Sequence, residues 1–455
     1  MATREFPLVP VTVPQVETKH RRIKTPIPHP ESIATLTKLR NTEPRSMGGQ
    51  PPILWHHGKG ATVSDAYGNQ WLDFSAGVLV TASGHGRPEI VKAITDMANQ
   101  GLYHAYCFPT EIRQQLVAEL ASWLPAPLSR VFLLSTGSEA AECCIKLART
   151  QGMKVGGKDK NIFITYESAF HGRTLGSQLA GGSPALKSWI GDLDPRFVQV
   201  PYPDGFRQKD VSFDLFERSL KEKGVDPERV CGVMTETYQG GNATMFTPAY
   251  GQALRKWCDK HKALMIFDEV QAGFGRTGKA FGFQHLGIVP DLVACGKGIS
   301  GGMPLSAVFG VQEVMDLYGP GEMTSTHSAN PICSAAALAN LQVIRREKLV
   351  ENAAKLSPIL TEGCKEIQAA SKGRCGHFTV SGLVAALQFT KPGTTTPDPD
   401  LAWELVHSAI QQGVMLFAPV GFGGAAVKLN PPLVIDEAAL REGLAVLRDI
   451  MKKIA

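Results

Sequence analysis

Short apolar runs recur through the middle of the chain, each bounded by turns and separated from the next by a helix-length segment. VFLL (131–134), NIFITY (161–166), VCGVMTE (230–236), ALMIFDE (263–269) and DLVAC (291–295) do not alternate polar with apolar residues. Strands of that kind are buried on both faces, which predicts a parallel sheet covered by helices on both sides. Upstream, ATVSDAYGNQWLDFSAG (61–77) alternates and breaks at Tyr67-Gly68-Asn69, so a hairpin is expected there. Downstream, SAAALANLQVI (334–344) and DEAALREGLAVLRDIMKKI (436–454) read as helices. The first fifty residues are rich in Pro and charge, with PIPHPES (26–32) as a turn-like entry, and ordered sequence is expected from near Pro51 onward. No internal repeat or low-complexity tract interrupts this order.

Composition narrows the class. A chain of 455 residues exceeds what one compact core usually supports, so a large domain plus a smaller one is expected. Hydrophobic residues at 43% and charged residues at 20% exclude a disordered chain. The net charge of +5 is small for this length, and no basic stripe marks a nucleic-acid surface. The one basic cluster, Lys19 to Lys24, reads as a solvated or interface-lying arm. Nine cysteines without paired spacing read as small buried hydrophobes in a reducing compartment. No segment has the length of a membrane-spanning helix, and Met1 to Val16 carries Glu5 and three prolines instead of an apolar leader. A cytoplasmic protein is expected.

Ligand sites in open α/β sheets gather at the carboxyl ends of strands, and three of the runs end in reactive residues. VFLLS ends in Thr136-Gly137-Ser138-Glu139, a capping-box spacing that starts a helix. The free N–H groups of that first turn suit an anion, although a well-capped helix needs no ligand. DLVAC ends in Gly296-Lys297-Gly298, where a desolvated lysine becomes a nucleophile toward carbonyls. ALMIF ends in Asp268, a carboxylate in apolar surroundings that needs a cationic or hydrogen-bonding partner. A lysine and an aspartate are the protein's usual contribution to pyridoxal-phosphate (PLP) chemistry, while a buried Asp–Lys ion pair has the same spacing. Gly273 to Lys279 fits a dinucleotide or phosphate loop only superficially. It follows its strand too late, and Ala280 stands where a metal-binding hydroxyl belongs.

FDEVQAGFGRTGKAFGFQHLGIVPDLVACGKGISGGMPLSAV (267–308) resembles the cofactor signature of class-III, fold-type-I PLP aminotransferases, and the likeness continues through STGSEAAECCIKLAR (135–149), AFHGRT (169–174) and STHSANPICSAAAL (325–338). It covers roughly residues 52 to 450 and also brings to mind related epimerases. The resemblance implies an α/β fold of PLP type I. Its large PLP-binding domain spans 76–335, with a mostly parallel sheet between helices. A smaller α+β domain is built from 51–75 and 336–455, and an N-terminal arm covers 1–50. Lys297 would form the Schiff base and move the substrate's proton, and Asp268 would pair with the ring nitrogen. Gln271 would bind the ring hydroxyl, Phe170 and Val270 would cover the two ring faces, and Gly137 and Ser138 would hold the phosphate. Glu236 resembles a supporting carboxylate at its strand end. Thr326 resembles the residue that reaches the phosphate from a neighbouring subunit, which implies a homodimer, or a tetramer of such dimers, with shared active sites.

The chain departs from the family pattern where substrate specificity is set. Lys428 stands in VKLNPPL (427–433) where a carboxylate-binding arginine is expected, and Gly241 stands where the glutamate that pairs with that arginine is expected. Val78 replaces a tyrosine of some relatives. A lysine is a point charge that lacks the planar fork of arginine. Lys428 is therefore either a substrate contact of altered specificity or a surface lysine. The expected reaction moves an amino group from a primary amine or ω-amino acid to a keto acid, with no metal. Racemisation or epimerisation, decarboxylation and elimination on the same fold are the alternatives.

Overall fold

All five apolar runs are strands in the computed structural model, which describes residues 4–455. Seven strands form the central sheet: β1 (Leu128–Leu134), β2 (Ile162–Tyr166), β3 (Phe197–Val200), β4 (Val230–Glu236), β5 (Leu264–Asp268), β6 (Leu292–Cys295) and β7 (Ser306–Val311). Their spatial order is β1-β7-β6-β5-β4-β2-β3. Only β7 runs against its two neighbours, so β1, β4, β5 and β6 direct their carboxyl ends to one edge. Every residue of β2, β4, β5, β6 and β7 is buried, the burial expected of strands covered on both faces.

Small side chains let the helices approach this sheet closely. Helix α1 (Gly137–Gly156) buries Ala140, Ala141, Cys143, Cys144, Leu147 and Ala148. At Gly152 a β-carbon would lie 2.4 Å from Cys231 Cβ on β4, and at Gly232 it would lie 3.1 Å from Ala148 Cβ. The Ala- and Cys-rich stretch of α1 is therefore a packing surface. All nine cysteines are free thiols and Cys107 alone is exposed; burial pushes Cys143 up to about 12.

The chain divides into two compact units. The larger comprises Pro88–Gly240 and Thr244–Glu351, and so keeps helix α2 (Pro331–Arg346) whole where the sequence boundary at 335/336 cuts it. The smaller comprises the chain up to Arg87, Gly241–Ala243 and Asn352–Ala455. Its hairpin pairs Thr62–Ser64 with Gln70–Asp73 around a turn in which Asp65 Oδ1 accepts from the amides of Tyr67 and Asn69 at 2.9 Å each. A second, antiparallel sheet joins Cys375–Ser381, Val384–Phe389 and Ala426–Leu429. The closing helix spans Glu437–Ile454 with Asp436 as its cap.

The N-terminal segment corrects the sequence reading. Its first three residues lie outside the described residues, but order begins well before Pro51. Val16–Glu17 pairs with Arg22–Ile23, Arg22 pairs in turn with Gln70, and Ile33–Thr42 is helical. Ile23 and Ile27 join Val63, Trp71, Ile410 and Met415 in one apolar cluster. The basic cluster, expected to be solvated or interface-lying, keeps Lys19 and Lys24 exposed but is pinned to the closing helix. Arg21 Nε donates to Glu442 Oε1 at 2.7 Å, His20 Nδ1 lies 2.8 Å from Oε2, and Thr18 Oγ1 donates to Oε1 at 2.6 Å. Two isoleucines among prolines and charges give too sparse a periodicity to signal a docked segment.

Burial alone would raise the Glu442 carboxyl, but Thr18, Arg21 and His20 outweigh it and hold it below the usual range. Stability from this cluster is therefore present above the unfolded carboxyl pKa of about 4.3 and is lost as pH falls through the lower folded value. Glu442→Gln should cost about 1–3 kcal/mol in urea denaturation at neutral pH. The difference from wild type should shrink in acid, and proteolysis after Lys19 to Lys24 should accelerate.

Candidate active site

The parallel register of β4, β5 and β6 brings three ionisable groups to one edge. Asp268 pairs across the ladder with Glu236 on one side and Ala294 on the other, and Lys297 follows two residues after the end of β6. Asp268 is 6% exposed and Glu236 5%. Carboxylates so buried need partners. Asp268 Oδ1 accepts from the Val270 amide at 3.0 Å, and Oδ2 lies 2.8 Å from His171 Nδ1. An ionised carboxylate only accepts, so Nδ1 carries the proton. Burial lowers the His171 pKa, yet the hydrogen bond and charge of Asp268, with the charge of Glu236, raise it overall. Glu236 Oε2 accepts from the Phe170 amide at 3.0 Å and Oε1 from the Gly240 amide at 2.7 Å. Burial pushes Glu236 up to about 7 against the pull of His171, and the charge of Asp268 pushes the same way. Burial lowers the Lys297 amine, with Asp268 and Glu236 opposing. Lys297 also holds φ +39°, a conformation that costs an L-residue energy and clusters at functional sites.

The opposite end of the site is built for an anion. Thr136 caps α1 with the expected capping box: its hydroxyl accepts from the Glu139 amide at 3.2 Å, and Glu139 Oε2 accepts from the Thr136 amide at 2.9 Å. The Ser306 hydroxyl on β7 donates to the Thr136 carbonyl at 2.7 Å and fixes the cap to the sheet. Ser138 Oγ accepts from the Arg173 amide at 3.2 Å. At Gly172 (φ +136°) a β-carbon would meet Ser138 Oγ at 2.4 Å, so only glycine permits this approach.

These residues surround a cavity of about 180 Å³. Nine of the residues singled out from sequence line it: Thr136, Gly137, Ser138, Phe170, Glu236, Asp268, Val270, Gln271 and Lys297. Val270 packs against Gly137, whose β-carbon would lie 3.1 Å from Val270 Cγ1. Gln271 lies against Gly240, and Tyr238 Oη donates to the Gln271 carbonyl at 3.0 Å. Phe170 is 38% exposed, and the exposed Arg173 places its guanidinium 5.5 Å from the ring centroid. Thr326 is exposed and does not line the cavity. Lys428 lies on strand Ala426–Leu429 of the smaller unit at 2% exposure, so it is not a surface lysine. At Gly241 a β-carbon would fall 2.7 Å from Gly421 Cα, which leaves no room for the glutamate of the family pattern.

Sequence reasoning missed His171, Arg173 and Tyr238. His171 and Arg173 stand in the AFHGRT segment, and their chemistry shows only once Asp268 and Phe170 are seen beside them. The Gly273–Lys279 loop is a series of turns followed by the short helical turn Gly282–Leu286, not a nucleotide loop opening a helix. Glu269 anchors it by accepting from the Gly282 and Phe283 amides at 2.8 Å each.

A model of the family "Aminotransferase class-III" matches residues 45–451. The chain belongs to the class-III aminotransferases. It is 32% identical over 447 residues to a 4-aminobutyrate aminotransferase of Mycobacterium leprae, covering 95% of this chain and 98% of the relative. It is also 34% identical over 412 residues to an isoleucine 2-epimerase of Lentilactobacillus buchneri, covering 87% and 89%. Among solved structures, an ornithine aminotransferase from Toxoplasma gondii with PLP at its active site superposes with a TM-score of 0.82 at 26% identity, covering 92% and 94%. This class-III aminotransferase has the type-I fold of PLP enzymes and is PLP-dependent. The cavity suits that cofactor. It offers a buried carboxylate for a ring nitrogen, a helix N-terminus for a phosphate, and an amine for an aldehyde.

Proposed function

We propose that the chain transfers the amino group of an ω-amino acid or other primary amine to a keto acid, with Lys297 as the reacting lysine. The observation that carries this reading is the meeting of Lys297, Asp268 and the first turn of α1 in one cavity. PLP supplies an aldehyde for the amine and an electron-withdrawing ring that accepts the charge left on the substrate carbon. Lys297 Nζ, with its pKa lowered by burial, takes the proton from the substrate carbon and returns it. Asp268 would pair with the protonated ring nitrogen, and the His171 Nδ1 proton holds the Asp268 carboxylate in line. Gly137 and Ser138 would hold the phosphate and Gln271 the ring hydroxyl, while Phe170 and Val270 would pack against the ring.

Arg173 suits the carboxylate of an ω-amino acid, because its guanidinium stands over the cavity wall formed by Phe170. Lys428 is assigned to the remote carboxylate of a dicarboxylate acceptor. Thr326 reaches the phosphate of a neighbouring subunit, so the enzyme is a homodimer or a dimer of dimers. Supporting this, Tyr103 and Phe108 are 59% and 74% exposed, and Tyr106 Oη lies 2.9 Å from Thr324 Oγ1, beside Thr326. Free buried thiols favour a reducing cytoplasm. Among the described residues no helix is long and apolar enough to cross a membrane.

The choice between transamination and the epimerase chemistry of one relative rests on the second substrate. With PLP-loaded enzyme and an ω-amino acid, one equivalent of donor per site should be consumed and turnover should then stop until pyruvate or 2-oxoglutarate is added. Continuous turnover without a keto acid would contradict transamination.

Lys428→Arg should raise the kcat/KM for 2-oxoglutarate relative to pyruvate by about three- to tenfold, since a second parallel hydrogen bond contributes on the order of 1 kcal/mol. The gain stays modest because Gly241 has no room for a partner carboxylate. An unaltered acceptor ratio would remove Lys428 from the substrate site.

A further inference from the structure

We propose that Glu236 is a positioning residue whose carboxylate ties the Phe170 amide to the Gly240 amide and so sets the Phe170 ring and the Gln271 side chain on the cofactor cavity. The inference rests on the reading of this cavity as the PLP site. Glu236 stands at the end of β4, and its two oxygens accept from two loops: Oε2 from Phe170 at 3.0 Å, Oε1 from Gly240 at 2.7 Å. The first loop carries a wall of the cavity. The second packs on Gln271, where a β-carbon at Gly240 would fall 2.2 Å from Gln271 Nε2 and 2.8 Å from Glu236 Oε1. The Gln271 side chain thus packs on a segment that Glu236 holds.

The donor set explains why the group is a carboxylate. Two N–H donors require two acceptors, and an ionised carboxyl offers a strong one to each. A glutamine has the same shape but turns its NH₂ toward one of the donors. Protonating Glu236 weakens the tie, because the hydroxyl oxygen of a carboxylic acid accepts far less strongly than a carboxylate oxygen.

Charged groups on every side act on it. His171, next to Phe170, favours the anion, and the charge of Asp268 on β5 opposes it. Lys297 after β6, Tyr202 and Tyr238 all feel the Glu236 charge. Burial pushes Glu236 up to about 7, so protonation of the tie falls near neutral pH.

Two measurements test this. In the cofactor-free protein, hydrogen exchange of peptides covering 167–172 and 238–241 should show protected Phe170 and Gly240 amides. Protection, corrected for intrinsic rates, should fall at both sites together below about pH 7. In the PLP-loaded protein, release of PLP should accelerate as pH drops from about 8 to about 6. Glu236→Gln should release PLP about tenfold faster at the upper pH and lose that pH step. Unprotected amides in the wild type, or a Glu236→Gln release rate and pH profile matching wild type, would overturn the proposal. If Glu236→Gln does not fold, the wild-type exchange profile decides alone. A wild-type protein that takes up no PLP would instead refute the cavity reading, and exchange in the cofactor-free protein would still decide on the tie.

Discussion

Asp268 closes a strand in which every residue is buried, and the parallel register sets Glu236 beside it. Two anions at the spacing of neighbouring strands repel by about 3 kcal/mol at an effective dielectric of 20, before the cost of taking either out of water. The site is the set of groups that offsets this. His171 donates to Asp268, backbone amides cap both carboxylates, and the Lys297 amine stands close enough to feel both charges. The same charges act on the lysine in reverse and counter the lowering of its pKa by burial. A cationic ring nitrogen entering the cavity would relieve the repulsion directly, which is why this arrangement suits a pyridinium cofactor.

Close backbone approaches make the arrangement rigid. Gly172 brings its loop against Ser138, Gly240 brings another against Gln271, and Gly137 leaves room for Val270. Lys297 is held in a left-handed conformation between two glycines. Each position stores a small amount of strain or entropy cost that the surrounding sheet sustains. The catalytic edge is thereby built from strand ends and fixed turns, which keeps reactive groups in register.

Much of this was legible in the sequence. Non-alternating apolar runs marked β1, β2, β4, β5 and β6, and the residues at their ends marked Lys297, Asp268 and the α1 cap. Strand β3 is a four-residue edge piece, and β7 (SAVFGV) carries a serine and a glycine, so neither stood out by periodicity. The docking of the N-terminal segment escaped because its anchors, Glu442 and Gln412, lie some four hundred residues away. His171 escaped for a related reason: its partner Asp268 is on another strand end, and a histidine gives no signal until its neighbour is known. Resemblance supplied roles for Phe170, Val270, Gln271 and Thr326 that pattern alone does not.

The central claim is that Lys297 is the lysine that joins PLP. Reduction of the PLP-loaded protein with borohydride, followed by peptide mapping, tests it directly. The account predicts one pyridoxyl group per chain on the peptide containing Lys297, and no stable label in Lys297→Ala. A label recovered on any other lysine of the wild-type protein would contradict it.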